Sequence, residues 1–177
     1  MKATQLLIIA WVFVCFCHSN IFAQSENNNR GYVVNVGDLA PNFEAKLTNG
    51  KTFKLSDHKG KVVMLQFTAS WCSVCRKEMP FIENEIWKEL SAKDFVLIGI
   101  DRDEPLEKAK EFAEQTGITY PLALDPKGKI FQQYALKDAG VTRNVIIDRD
   151  GKIIYLTRLF NREEFDTMKR NIFNEVK

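Results

Sequence analysis

Val62-Val63-Met64-Leu65-Gln66-Phe67 is a nearly continuous apolar run, and four residues after it comes Trp71-Cys72-Ser73-Val74-Cys75. A run this short and this apolar reads as a strand covered on both faces. A long helix is expected next, from about Cys72 to Leu90, because Met79, Ile82, Ile86 and Leu90 recur at spacings of three and four. Pro80 falls inside it and should kink it. Cys72 therefore opens a helix at the exit of a buried strand. The unpaired amides and macrodipole there stabilise an anion and favour the thiolate, the species that attacks a disulfide. Cys75 lies one turn on, close enough to close an internal disulfide, so one sulfur can attack and the other resolve.

Working outward, Phe43 to Leu47 and Lys51 to Leu55 read as a hairpin around Thr48-Asn49-Gly50. Phe95 to Ile100 is a second buried strand, and a helix should open at Pro105 and stop at Gly117. Pro121 to Leu124 reads as a short strand, Lys129 to Tyr134 as a short helix and Val145 to Asp148 as a third buried strand. Asp150-Gly151 then turns the chain into an antiparallel edge strand, Lys152 to Leu156, before a closing helix from about Arg162 to Phe173. This order predicts an α/β fold with a mostly parallel central sheet between helix layers, an N-terminal β-hairpin and a central helix-strand insert.

The first 23 residues have a different character. Lys2 is their only charge, Leu6 to Cys17 is apolar, and Ile21-Phe22-Ala23 follows a short polar region, the layout of a secretory signal peptide cleaved after Ala23. The apolar stretch is short for a membrane span. Cys15 and Cys17 follow Val14 and Phe16, which disfavours lipid attachment. Residues 24–35 read as a flexible linker, and residues 36–177 as one domain. The net charge of +2 loses one with Lys2, which suggests neither nucleic acid nor an anionic membrane as partner. Cys72 and Cys75 are then the last two of the four cysteines. A bridge over so short a loop constrains the unfolded chain little, so the pair points to chemistry rather than stability. Two thiols and the distant His58 fall short of a metal site, and no cofactor is expected.

Val36-Gly37-Asp38-Leu39-Ala40-Pro41-Asn42-Phe43, Asn49-Gly50-Lys51, Leu55-Ser56-Asp57 and Trp71-Cys72-Ser73-Val74-Cys75-Arg76-Lys77-Glu78-Met79-Pro80 together resemble the TlpA/ResA-type periplasmic thioredoxins. The likeness continues through Val96 to Asp101 and Val145 to Gly151. The resemblance implies a thioredoxin-like fold and an exported reductase of protein disulfides in the periplasm. It also implies recharging by a membrane thiol transporter of the CcdA or DsbD kind. By the same resemblance Glu78, three residues from Cys75, relays protons to and from the resolving sulfur. Gln66 stands where thioredoxin has a buried acid, which leaves Glu78 as the proton acceptor. Trp71 covers one side of the disulfide, and Pro80 matches the family's kinking proline.

Thr142 departs from the pattern, occupying the place where thioredoxins carry a cis-proline facing the cysteines. A cis bond before a non-proline residue costs about 3 to 4 kcal/mol, so Val141-Thr142 is expected to be trans and the groove beside Cys72 to differ. Losing that proline brings the chain nearer to peroxiredoxins, so a thiol peroxidase is the main alternative. Leu65 and Ala69 stand where such enzymes carry proline and threonine, Thr68 is one place off, and Arg143 would have to polarise the peroxide. A non-catalytic binding module is the third reading. His58 is expected to be solvated in a polar loop, and Asp101-Arg102-Asp103-Glu104 to form a solvated loop and helix cap.

Overall fold

In the computed structural model, residues 30–177 are described. The signal-peptide expectation for residues 1–23, and the part of the linker before Arg30, lie outside them. The central strand, β3 (Val62–Thr68), is buried at every position. β4 (Phe95–Arg102) lies parallel to it, with Thr68 opposite Asp101, and β5 (Leu122–Asp125) lies parallel to β4. On its other edge β3 pairs antiparallel with β6 (Arg143–Ile147), which pairs antiparallel with β7 (Ile153–Arg158). The sheet order is β5-β4-β3-β6-β7, so β6 alone runs against the other four strands. The expected N-terminal hairpin is present as β1 (Glu44–Lys46) and β2 (Thr52–Lys54).

Alternation along β3 divides the core. Gln66 and Thr68 face the layer built from α1 (Ser73–Ile82) and α5 (Arg162–Glu175), where the Thr68 hydroxyl meets the Met79 sulfur at 3.4 Å. Phe67 points the other way into an aromatic cluster with Phe131 and Tyr134 of α4 (Phe131–Tyr134), which Phe43 joins edge-on. α3 (Leu106–Thr116) connects β4 to β5 and ends, as its sequence predicts, on Gly117 in the left-handed region at φ +69°.

The long helix differs from a single kinked one. Pro80 has no N–H and crowds the preceding turn. After Ile82 the backbone opens into a π-turn, Glu83–Trp87, in which the Lys88 N–H reaches back five residues to Glu83. A short α2 (Lys88–Leu90) follows. The extra residue turns Glu83 toward Thr119, whose N–H and hydroxyl both donate to its carboxylate at 2.8 Å, and lets Glu85 accept from Arg162 and Lys169 of α5. Interior prolines and π-turns each bend a helix, and here one follows the other.

Three further expectations are corrected. Among the described residues, packing already involves the segment before Val36. Tyr32 and Val34 are buried, Val33 N–H donates to Tyr134 O at 2.9 Å, and the Tyr32 hydroxyl lies on the carbonyls of Asn144 and Thr157. His58 is half-buried and stacks on Phe53 at 4.8 Å between ring centres, because the turn Leu55–His58 folds back on the hairpin. The Asp101–Glu104 run is no solvated cap. Asp101 is fully buried, and Glu104 accepts hydrogen bonds from the Ser70 N–H and hydroxyl.

Candidate active site

Cys72 is the N-cap of α1, and its Sγ accepts the Cys75 N–H at 3.2 Å. The two cysteines form a disulfide with their Cα atoms 5.3 Å apart. Their environments differ: Cys72 is 8% exposed and Cys75 is fully buried. The loop that delivers Cys72 is tied down from two sides. Glu104 holds Ser70, and the Arg76 guanidinium donates to Ser70 O at 2.8 Å while lying over the Phe112 ring. Trp71 stands out in solvent at 64% exposure, which rules out a core role and makes it part of the surface beside the disulfide.

Thr142 immediately precedes β6, and its Oγ1 lies 3.1 Å from Cys72 Sγ and 3.3 Å from Cys75 Sγ. No cis peptide bond occurs among the described residues, so Val141-Thr142 is trans. Thr142 O in turn accepts the Leu159 N–H at 3.1 Å, which fixes the segment across the sheet edge. A hydroxyl therefore faces the sulfurs where a proline ring would offer only carbon.

One turn beyond Cys75, Glu78 is buried beneath the sheet edge. Its Oε1 accepts from Asn144 Nδ2 at 2.7 Å, whereas its Oε2 has no partner. Burial pushes this carboxyl up to about 7, while the amides of Asn144 and Gln66 pull it partly back. Gln66 sits on the same layer, its Oε1 accepting from the Tyr120 hydroxyl at 2.6 Å. Asn144 also donates to Thr157 Oγ1 at 2.9 Å. Asn144 and Thr157 escaped the sequence reading, because a polar residue inside a strand carries no sign of which neighbour will satisfy it. Pro80, the last of the expected site residues, shapes the helix and makes no contact with the sulfurs that the geometry records.

Arg143, the residue a peroxidase reading would need, faces the opposite side of the sheet from Asn144. Its Nε and Nη2 donate to the Gly140 and Arg30 carbonyls at 3.0 and 2.7 Å, and its guanidinium lies 4.5 Å from the Tyr32 ring centre. It is a structural cation of the N-terminal segment rather than a group turned to the sulfurs. No described helix is long and apolar enough to cross a membrane.

A five-stranded mixed sheet whose central strand hands a Cys-x-x-Cys pair to a helix N-terminus defines a thioredoxin-like thiol-disulfide oxidoreductase. The chain belongs to the Redoxin family, whose profile matches residues 35–174. The thiol-disulfide oxidoreductase ResA of Bacillus thuringiensis subsp. konkukian is 32% identical over 161 residues, 87% of this chain and 88% of that protein. Among solved structures, a candidate protein disulfide isomerase from Bacteroides thetaiotaomicron aligns with TM-score 0.81 and 61% identity, covering 82% of this chain and 92% of the other. A candidate thiol:disulfide interchange protein DsbE from Chlorobium tepidum aligns with TM-score 0.72 and 30% identity over 81% and 99% of the two chains.

Proposed function

We propose that the protein is an exported reductase of protein disulfides in which Cys72 attacks, Cys75 resolves and Glu78 carries the proton. The observation that carries this reading is the asymmetry of the pair: Cys72 reaches the surface at the helix N-cap, while Cys75 is sealed beneath it one turn before a buried carboxyl. In the reduced protein the Cys72 thiolate attacks one sulfur of a substrate disulfide, forming a mixed disulfide and releasing one substrate thiolate. The Cys75 N–H and the Thr142 hydroxyl are placed to donate to the Cys72 thiolate before it attacks. Cys75 then gives its proton to the Glu78 carboxylate and attacks Cys72 Sγ. The internal disulfide forms, and the second substrate thiolate leaves and takes up a proton.

Trp71 supplies exposed aromatic surface for docking, and Thr142 in place of a ring narrows which disulfides fit. The leader-like residues 1–23 and the resemblance to the TlpA/ResA-type periplasmic thioredoxins support export to the periplasm, with a CcdA- or DsbD-type membrane donor restoring the dithiol. The test is the reduction potential of the Cys72–Cys75 couple, measured by equilibration with glutathione or dithiothreitol and trapping of free thiols. A couple below about −220 mV fits a reductant, and one near −120 mV makes the protein an oxidant. If no reversible internal disulfide forms, the oxidoreductase reading fails.

A further inference from the structure

The segment Gly140–Arg143 has two neighbours. Thr142 faces the sulfurs, while Gly140 and Arg143 line an open cleft of about 640 Å³. Four cations, Arg30, Lys137, Arg143 and Arg158, line this cleft with a single acid, Asp138. Arg30 is ion-paired with Glu164, which leaves Lys137, Arg143 and Arg158 against Asp138 as a local excess of positive charge in a chain that carries only +2 as a whole. Arg143 and Arg158 are directly opposed across the β6–β7 pair, an arrangement of like charges that disfavours the sheet. Among the described residues neither has a carboxylate at ion-pair distance. Each keeps a buried Nη1 without a hydrogen-bond partner, although Arg143 is wholly buried. Gly140 leaves room for the second of them: a Cβ there would stand 2.5 Å from Arg158 Nη2. Leu136, half exposed, adds an apolar wall.

The half-buried Arg158 and the exposed Lys137, with the buried Arg143 adding its charge behind them next to the segment that touches the reacting sulfurs, make the cleft complementary to carboxylates of whatever is docked there. We propose that this cleft receives acidic side chains of the protein substrate, so that disulfides flanked by Asp or Glu are the preferred ones. This rests on the reading of Cys72 and Cys75 as a protein-disulfide reductant. Electrostatic complementarity of this kind acts chiefly on the encounter rate and is weakened by salt.

The test uses the reduced protein and two short peptides, each with an internal disulfide, identical except that Glu residues beside the cysteines in one are Gln in the other. At low salt the Glu peptide should be reduced about fivefold faster than the Gln peptide, the ratio falling toward one at high salt. Arg158→Gln should abolish the preference and Lys137→Gln, at an exposed site, should diminish it. Equal rates for the two peptides in the unaltered protein would overturn the proposal, as would a preference that survives both substitutions. If Arg158→Gln does not fold, the salt series and Lys137→Gln decide. Failure to reduce either peptide would instead overturn the parent reading, whereas reduction of both without preference overturns this inference alone.

Discussion

Asn144 donates its amide to Glu78 across the gap between β6 and α1, 2.7 Å from Nδ2 to Oε1, and leaves the second carboxyl oxygen unpartnered in a closed environment. The two residues are 66 positions apart. Their contact is where the electrostatics of the site can be measured.

With its carboxyl raised from 4.5 to about 7, Glu78 keeps its proton in the folded state over a range where the unfolded chain has released it. Stability from this group is therefore full below about pH 4.5, falls as the pH rises toward 7 and levels off above it. The whole swing is about 3 kcal/mol. Glu78→Gln should flatten that part of the profile, which urea denaturation at several pH values would reveal. The same substitution should remove the inflection near neutrality from the rate of thiol-disulfide exchange; superimposable rate profiles would exclude the proton-relay role.

Thr142→Val keeps the shape of the side chain and removes the hydroxyl that lies on both sulfurs. Loss of one hydrogen bond to a developing thiolate should slow alkylation of the reduced Cys72 by about tenfold at neutral pH. An unchanged alkylation rate would show that the hydroxyl does not act on the sulfur. Thr142→Pro should gain activity on generic disulfides such as insulin, and insulin turnover is the measurement.

The two cysteines should behave unequally, because one is slightly exposed and the other sealed. Cys75→Ser should accumulate a mixed disulfide between Cys72 and substrate, visible on a non-reducing gel. Cys72→Ser should trap nothing and exchange nothing. Equal trapping by the two variants would remove the assignment of attacker and resolver.

Asp101 is buried with neither carboxyl oxygen hydrogen-bonded by a donor, and burial together with the neighbouring Glu104 raises it from 3.8 to about 8. Its contribution to stability is full at acid pH and is lost as the pH rises through that value. Asp101→Asn should therefore stabilise the protein more at pH values above about 8 than below about 4, as thermal melting would show. A uniform change across the range would contradict the assignment.

Much of the site was legible because its logic is local. Cys72, Ser73, Val74 and Cys75 follow a buried strand within a few residues, and the opening of a helix sets their spacing without help from elsewhere. Sheet partners were less legible. β6 starts at Arg143, two residues before the apolar run that announces it, because Arg143 and Asn144 are buried by the partners they bond rather than by hydrophobicity. Tyr32 likewise sits in a stretch, Gly31 to Asn35, that is too short to announce an element and reads as linker until the carbonyls of β6 and β7 are there to receive its hydroxyl.

The sequence by itself determined the order of strands and helices, the stop at Gly117 and the redox pair, since period, caps and turns act over a few residues. Only the tertiary structure decided that the π-turn after Pro80 aims Glu83 at Thr119, that Glu78 meets Asn144, that Thr142 sits on both sulfurs, and that Arg143 and Arg158 face each other beside them. Those relations join residues far apart in the chain, and a polar side chain acquires its burial, its partner and its protonation state only when the packed sheet brings that partner to it.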